Sequence, residues 1–250
     1  MSHMLKILYE DELCVVVQKP YFMGVHRSEL IRDKVTCLSA LRNQLKQHVY
    51  PVHRLDRQTT GALMFAKDKE SLSQLMTLFH EQKVRKLYIA VVRGWLKEAI
   101  WVNNTMIAPD NGNELEASSF CYPLAEIEKD WPVGKFEKAR YGLVAVQPHS
   151  GRWHQVRRHL RDINRPILGD SVHGDTKQNR TFKEQTGSYG MMLHAAKIQL
   201  KLPWNEQLLD VTAPYEKRFY RLLRQWDWPL EVSFRDEPLN HANPSSITHS

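Results

Sequence analysis

The sequence predicts an α+β domain, and three observations carry that reading. Short runs rich in Val, Ile and aromatic residues alternate with segments whose leucines recur at helical spacing. Gly, Pro, Asn and Asp gather between these segments. With 250 residues, 42% of them hydrophobic, the chain can also bury one substantial core.

Taken in order, LKILYEDELCVVVQKP reads as two short strands around an acidic turn, stopped by Lys19-Pro20. Leu38, Leu41, Leu45 and Val49 share one face of a helix that Pro51 ends. A second helix follows the capping residue Asp68, with Leu72, Leu75, Met76 and Phe79 as its apolar stripe. KLYIAVVRGW, at 86–95, is β-branched and aromatic and reads as a strand. Positions 103–138, richer in Asn, Pro, Gly and charge, suggest loops and short hairpins laid over the core. RYGLVAVQP is the next strand and HSGRWHQVRRHLRDINRP the next helix. Ser150 can cap that helix, leaving free amides after Gly151 as an anion site. Its packing face is Trp153, Val156, Leu160 and Ile163, and its positive face is His154, Arg157, Arg158 and Arg161. MMLHAAKIQLKLP, at 191–203, alternates as a final strand, and a loose polar tail is expected after Pro229.

Composition narrows the function. Lys+Arg 35 against Asp+Glu 28 gives a net charge of +7, which attracts polyanions such as RNA, DNA or acidic lipid. The three cysteines stand far apart without zinc-like spacing, which favours a reducing compartment and no metal site. No apolar run approaches the ~18 residues of a membrane span, so a cytoplasmic protein is expected. GxGxxG, GxxxxGK[ST] and HExxH are all missing, and with them the usual signs of nucleotide-cofactor, P-loop and zinc-protease chemistry. Gly169 and Gly174 read as turn residues, with Asp170 and Asp175 as local hydrogen-bond acceptors.

The stretch PVHRLDRQTTGALMFAKD sets Asp56 two residues after Arg54 and directly before Arg57. A guanidinium beside an aspartate favours the carboxylate and orients it, making it a base or nucleophile and not a proton donor. If 52–58 is extended, Arg54 and Asp56 share one face while His53, Leu55 and Arg57 share the other. On pattern alone, the commoner meaning of such a cluster is an exposed ion-pair group worth about 0–1 kcal/mol. His154, beside Arg157 and Arg158, is equally a phosphate contact or a solvated helix surface. Tyr88, inside RKLYIAV, reads as core.

HRLDRQTTGALMFA resembles the HRLDxxTSG motif of the RluA-type pseudouridine synthases. Further segments follow in the family's order: VVVQKPYFMGVHR is similar to its Lys-Pro motif, KLYIAVVRG to its KxYxAxVxG strand and SGRWHQVRRHL to its TGRxHQxRxHL helix. RPILGD and MLHA resemble its closing motifs, and Gln18, Thr60 and Ser150 are small polar departures. The resemblance implies the pseudouridine-synthase fold, an α+β domain over 1–228 with a largely antiparallel mixed sheet, flanking helices and a central RNA-binding cleft. No S4-like domain precedes it and a polar tail covers 229–250. It also implies an isomerase that converts uridine to pseudouridine with base flipping. In that carry-over Asp56 is the catalytic residue, Arg157 its salt-bridge partner and Tyr88 the ring that stacks on the target uracil. Arg54 enters the space left by the flipped base, and Lys19, Arg57, Arg152, His154 and Arg158 join it in binding RNA. GVHRSEL and GDSVHGDTKQNR resemble members that modify uridine 65 in the T stem of tRNA. The expected enzyme is a cytoplasmic monomer acting on tRNA without cofactor, metal or membrane. The same reaction on ribosomal RNA, or a non-catalytic RNA-binding module, remains the alternative.

Overall fold

The computed structural model describes residues 4–27, 35–108 and 111–237. The part of GVHRSEL after Arg27 and the last thirteen positions of the expected tail lie outside the described residues.

The acidic turn predicted near the start joins β1 (Lys6–Glu10) to β2 (Cys14–Lys19), where Asp11 Oδ1 accepts the amides of Leu13 at 2.8 Å and Cys14 at 2.6 Å. β2 runs antiparallel to β4 (Thr60–Ala66), whose every residue is buried because helices cover both of its faces. Val15, Val17, Leu63 and Phe65 pack under α1 (Cys37–Leu45), while Val16, Ala62 and Met64 pack under α2 (Lys69–His80). This is period-two alternation with an apolar layer on each side.

Both helices are capped as their sequences allow. Thr36 and Ser39 form a reciprocal capping box on α1, and Asp68 accepts the Ser71 amide on α2. α1 nevertheless stops at Leu45, short of the predicted Val49, because Lys46 turns left-handed with φ 58. The chain then enters β3 (Tyr50–Pro51), which pairs with β4.

β5 (Arg85–Arg93), β8 (Ala139–Pro148) and β9 (Leu193–Lys201) form the centre of the second half-sheet. Positions 103–138 were expected to lie over the core as loops and short hairpins. Instead β6 (Ile100–Ile107) and β7 (Glu114–Lys129) extend the sheet itself, with β6 at its edge, and their polar residues find partners there: Ser118 Oγ donates to Asn103 Oδ1 at 2.6 Å and the buried Ser119 Oγ accepts from Gln155. The strand at 191–203 is not the last: β10 (Leu208–Thr212) pairs with β9, and α5 (Lys217–Gln225) packs Phe219, Leu222 and Leu223 into the core. α3 (Gln155–Asp162) and α4 (Thr176–Thr186) complete the elements, so the structure is the α+β arrangement expected, with a mixed and mostly antiparallel sheet. After Pro229 the chain is not loose where it is described. Tyr122 Oη donates to the Ser233 carbonyl at 2.8 Å, and Gln147 Nε2 donates to Glu237 Oε1 at 2.7 Å. A polar composition does not keep a segment in solution when its backbone and side chains find partners.

The two half-sheets join where β4 and β9 run parallel, pairing Thr60 with His194 and Gly61 with Ala195. Gly61 has φ +119, and a Cβ there would lie 2.1 Å from the Ala195 carbonyl oxygen, so backbone approaches backbone where no side chain fits. Beside it His194 bridges the halves, with Nδ1 2.8 Å from Thr60 Oγ1 and Nε2 3.1 Å from the Ala213 carbonyl oxygen. A carbonyl can only accept, so Nε2 carries the proton and Nδ1 accepts from the Thr60 hydroxyl. Burial depresses this imidazole to about 4, and burial likewise depresses His53, whose Nε2 accepts the Met64 amide.

Two outcomes follow. Gly61→Ala forces both the backbone and Ala195 to move, and should lower stability by at least about 2 kcal/mol in urea unfolding. His194 is buried and His53 half-buried, both in the neutral form, and both gain protons more readily when unfolded. Stability is therefore fully present above about pH 6.5 and should fall as pH drops toward about 4. A urea midpoint that stays flat between pH 7 and 4.5 would show that neither ring is buried in the neutral form.

Candidate active site

The loop between β3 and β4 carries Asp56, and a hydrogen bond from the Thr59 amide to the Asp56 carbonyl at 2.9 Å closes it into a turn. Lys19, at the end of β2, holds the loop from beneath: Nζ donates to the carbonyls of Arg57 at 2.9 Å and Pro20 at 3.0 Å. Its side chain has no solvent exposure, and burial pulls its amine down to about 8. Lys19 was expected among the RNA contacts, but a fully enclosed ammonium cannot meet a phosphate. It builds the loop instead.

Across from Asp56, Arg157 projects from α3. Its Nη1 lies 2.8 Å from Asp56 Oδ2, while Nε and Nη2 grip both oxygens of Asp170 at 2.7 and 2.8 Å. The helical pattern had set Arg157 on an exposed positive face, but it is buried. Burial alone would lower its affinity for a proton, yet the bonds to Asp170 and the charge of Asp56 more than offset that and hold it above its ordinary value. Asp170 is the acid that makes this possible. It too is buried, and Arg157 with the amides of Val172 and His173 keeps it below the usual carboxylate range despite desolvation. Side-chain exposures of 30% for Asp56, 7% for Arg157 and 1% for Asp170 give the direction of the chain: one carboxylate faces the cleft, and the other anchors the cation behind it.

Tyr88 stands at a bulge in β5 and packs against core clusters of both half-sheets. Desolvation, reinforced by the charge of Asp56, pushes its phenol well above the ordinary value, so it offers a neutral ring and no acid or base. Asp56, Tyr88, Arg157, Arg54 and Arg152 line one cleft together with His154 and Gln155. Arg54 is exposed at its mouth. Arg152 donates through Nε to the Glu116 carbonyl at 3.1 Å, tying the β6–β7 hairpin to the rim. Arg57 and Arg158 are not in that lining: the Arg57 guanidinium lies 3.7 Å from the centroid of Phe22, and Arg158 is half-buried on α3.

Ser150 does not cap α3, and the anion site expected after Gly151 is occupied from within the chain. Gln155 Oε1 accepts the Ser150 hydroxyl at 2.7 Å and the Arg152 amide at 3.0 Å, while its Nε2 donates to the Ser118 carbonyl and Ser119 Oγ. Lys86 Nζ donates to the Ser150 carbonyl at 2.9 Å. His154, at the start of the helix, has φ 55 and sits 3.8 Å from Asp56 Oδ2, with Nδ1 3.0 Å from His173 Nε2. Burial first, then the charges of Arg157 and His173, bring it down to about 4 despite the carboxylates. His154 is therefore a neutral imidazole beside the carboxylate and not a solvated helix surface. Residue pattern missed the Asp170, His173, Gln155 and Lys86 contributions. Only the Gly-Asp pair in ILGD, read as a local turn, hinted at any of them.

A model of the RNA pseudouridylate synthase family matches residues 13–162. The chain belongs to the RNA pseudouridylate synthase family. It is an RNA pseudouridine synthase, an isomerase. The synthase is 38% identical over 237 residues to the "tRNA pseudouridine synthase C" of Vibrio vulnificus, covering 90% of this chain and 97% of that protein. It is 39% identical over 236 residues to the protein of the same name from Yersinia pestis, covering 90% and 92%. The solved human RNA pseudouridylate synthase domain containing 4 shares its fold with a TM-score of 0.70 at 24% identity, over 91% of this chain and 95% of that one. Among the described residues no helix is long and apolar enough to cross a membrane.

In the synthase Asp170 and Asp56 share one cation, so their roles separate by substitution. Asp170→Asn leaves buried charge poorly compensated and should cost about 3–5 kcal/mol of stability. Turnover should fall even where the variant remains folded, and Arg157→Lys, which cannot fork, should behave similarly. Urea melts with steady-state kinetics on the folded fraction would check this. A stable Asp170→Asn enzyme at wild-type turnover would remove Asp170 from the assembly.

Proposed function

We propose that the synthase isomerises uridine 65 in the T stem of tRNA, with Asp56 as its catalytic carboxylate. The observation that carries this reading is the 2.8 Å contact of Asp56 Oδ2 with Arg157 Nη1, which aims a partly exposed carboxylate into a cleft beside the Tyr88 ring. The names and near full-length coverage of the Vibrio vulnificus and Yersinia pestis relatives support tRNA as the substrate.

A uridine in a stem reaches Asp56 only after leaving its stack, at a cost of a few kcal/mol. Stacking on Tyr88 offsets part of that, and Arg54, exposed at the mouth, fills the space behind the base. Asp56 either attacks C1′ of the ribose, forming an ester that C5 later displaces, or removes a sugar proton that is returned when C5 adds; in both cases the N-glycosidic bond breaks, uracil turns in place, C5 bonds to C1′ and gives up its hydrogen as a proton, and N1 gains one. The neighbours suit a carboxylate that works without a second acid. The phenol of Tyr88 and the guanidinium of Arg157 hold their protons tightly, and His154 carries none at neutral pH. Arg152 and Arg54 supply phosphate contacts at the rim, so affinity falls with salt.

Tritium release from tRNA labelled at uridine C5 tests the reading. Wild-type enzyme should release tritium, and Asp56→Ala should release none while still binding tRNA. Arg157→Ala should lose far more in turnover than in affinity. Residual turnover of Asp56→Ala within tenfold of wild type would sink the assignment, and release from ribosomal RNA alone would move the substrate.

A further inference from the structure

Beside the cleft, starting at the residue after Asp56, lies a group of aromatic rings that the proposed chemistry leaves unused. Phe22 follows the Lys19-Pro20 stop and has φ 60, a left-handed conformation that a bulky residue adopts at a cost. It is also 50% exposed, so the strain is not explained by burial of the ring. The Arg57 guanidinium lies over this ring at 3.7 Å from its centroid. Tyr21 stands 5.7 Å from Phe22 and meets Tyr189 edge-on at 6.2 Å, and Tyr189 is 59% exposed.

The support beneath these rings is rigid. Arg218 donates to the carbonyls of Tyr189 at 2.7 Å and Met191 at 2.9 Å, and lays its guanidinium 4.0 Å from the centroid of the Tyr21 ring. Gly190 completes the fit, since a Cβ there would fall 1.8 Å from the Tyr21 hydroxyl. The molecule thus spends an arginine fork, a glycine and a strained backbone on holding two aromatic side chains half in solvent.

We infer that Phe22 and Tyr189 form a stacking ledge for a nucleobase of the substrate RNA that is unpaired when the target uridine leaves the stem, next to the nucleotide that enters the cleft. The inference rests on Asp56 marking the reacting position. Three features favour an RNA base over another occupant: the ledge is continuous with the Asp56 loop through Arg57, cations lie over its Phe22 and Tyr21 rings, and the chain carries +7. An arginine plane resting on a phenyl ring is itself a surface on which bases stack.

Phe22→Gly is the informative change, because glycine relieves the left-handed backbone while removing the ring. Anisotropy with labelled tRNA measures affinity independently of turnover, and tritium release measures KM and kcat in parallel. Loss of one stack should weaken binding roughly tenfold. In Phe22→Gly and Tyr189→Ala that loss should fall on Kd and KM much more than on kcat, and Phe22→Tyr should restore it. The slope of log Kd against log salt should stay at the wild-type value, whereas Arg54→Ala should reduce it. Phe22→Gly should be at least as stable to urea as wild type. Unchanged tRNA affinity with lower stability would make Phe22 a packing residue and overturn the ledge. A change of sedimentation in Phe22→Gly would assign the patch to a second copy of the chain and overturn it equally. Absence of tritium release from tRNA by wild type would instead overturn tRNA as the substrate, and release by Asp56→Ala would overturn the reading of Asp56; in either case the anisotropy arm would still report on the ledge.

Discussion

Everything in the cleft depends on one guanidinium serving two carboxylates. Arg157 comes from the second half-sheet and Asp56 from a loop on the first, so their contact is also a joint between halves. A lone arginine brought to that depth would lose its hydration without return. Asp170 supplies the return, gripping two of its nitrogens and being held in turn by backbone amides. The third nitrogen is then oriented before any substrate arrives. Such preorganisation fixes the direction in which a single carboxylate faces the cleft.

The charge of the protein divides into cations that build and cations that receive. Lys19, Lys86, Arg157 and Arg218 are committed to carbonyls or carboxylates and fix the loops around Asp56 and the rings beside it. Arg54 stands exposed at the rim, and Arg152 beside it belongs to both kinds, lining the cleft while its Nε holds the Glu116 carbonyl. Net charge counts both kinds alike, which is why it signals an anionic partner but cannot locate the contact.

The same distinction explains how much of the molecule was legible beforehand. Local signals served well where structure is local: the Asp11 turn, the Asp68 cap and the β-branched, aromatic run of β5 all read correctly from neighbouring residues. Asp56, Tyr88 and Arg157 came from the family resemblance, and the fold brings all three to one cleft. What failed was anything decided across distance. The helical wheel placed Arg157 in solvent because it could not see Asp170 thirteen residues on, and the basic count enlisted Lys19 for RNA because it could not see the carbonyls above it. The β6–β7 hairpin looked like loop because its Asn, Pro, Gly and charged residues have a turn's composition, and α4 and α5 were overlooked among dense charge. Gln155 was passed over because a buried amide bonded on every side leaves no mark in sequence.

The parallel seam at Gly61 has a consequence for how such an enzyme diversifies. Backbone touches backbone there, so almost no heritable change at that position can leave the halves in place. The β6–β7 hairpin, paired with β8 and tied to the rim by Arg152, Gln155 and Asn104, lies at the far edge of the sheet and can exchange its exposed surface without disturbing the seam. Descendants of this architecture are therefore free to acquire new targets at the periphery while inheriting the carboxylate and its cation unchanged.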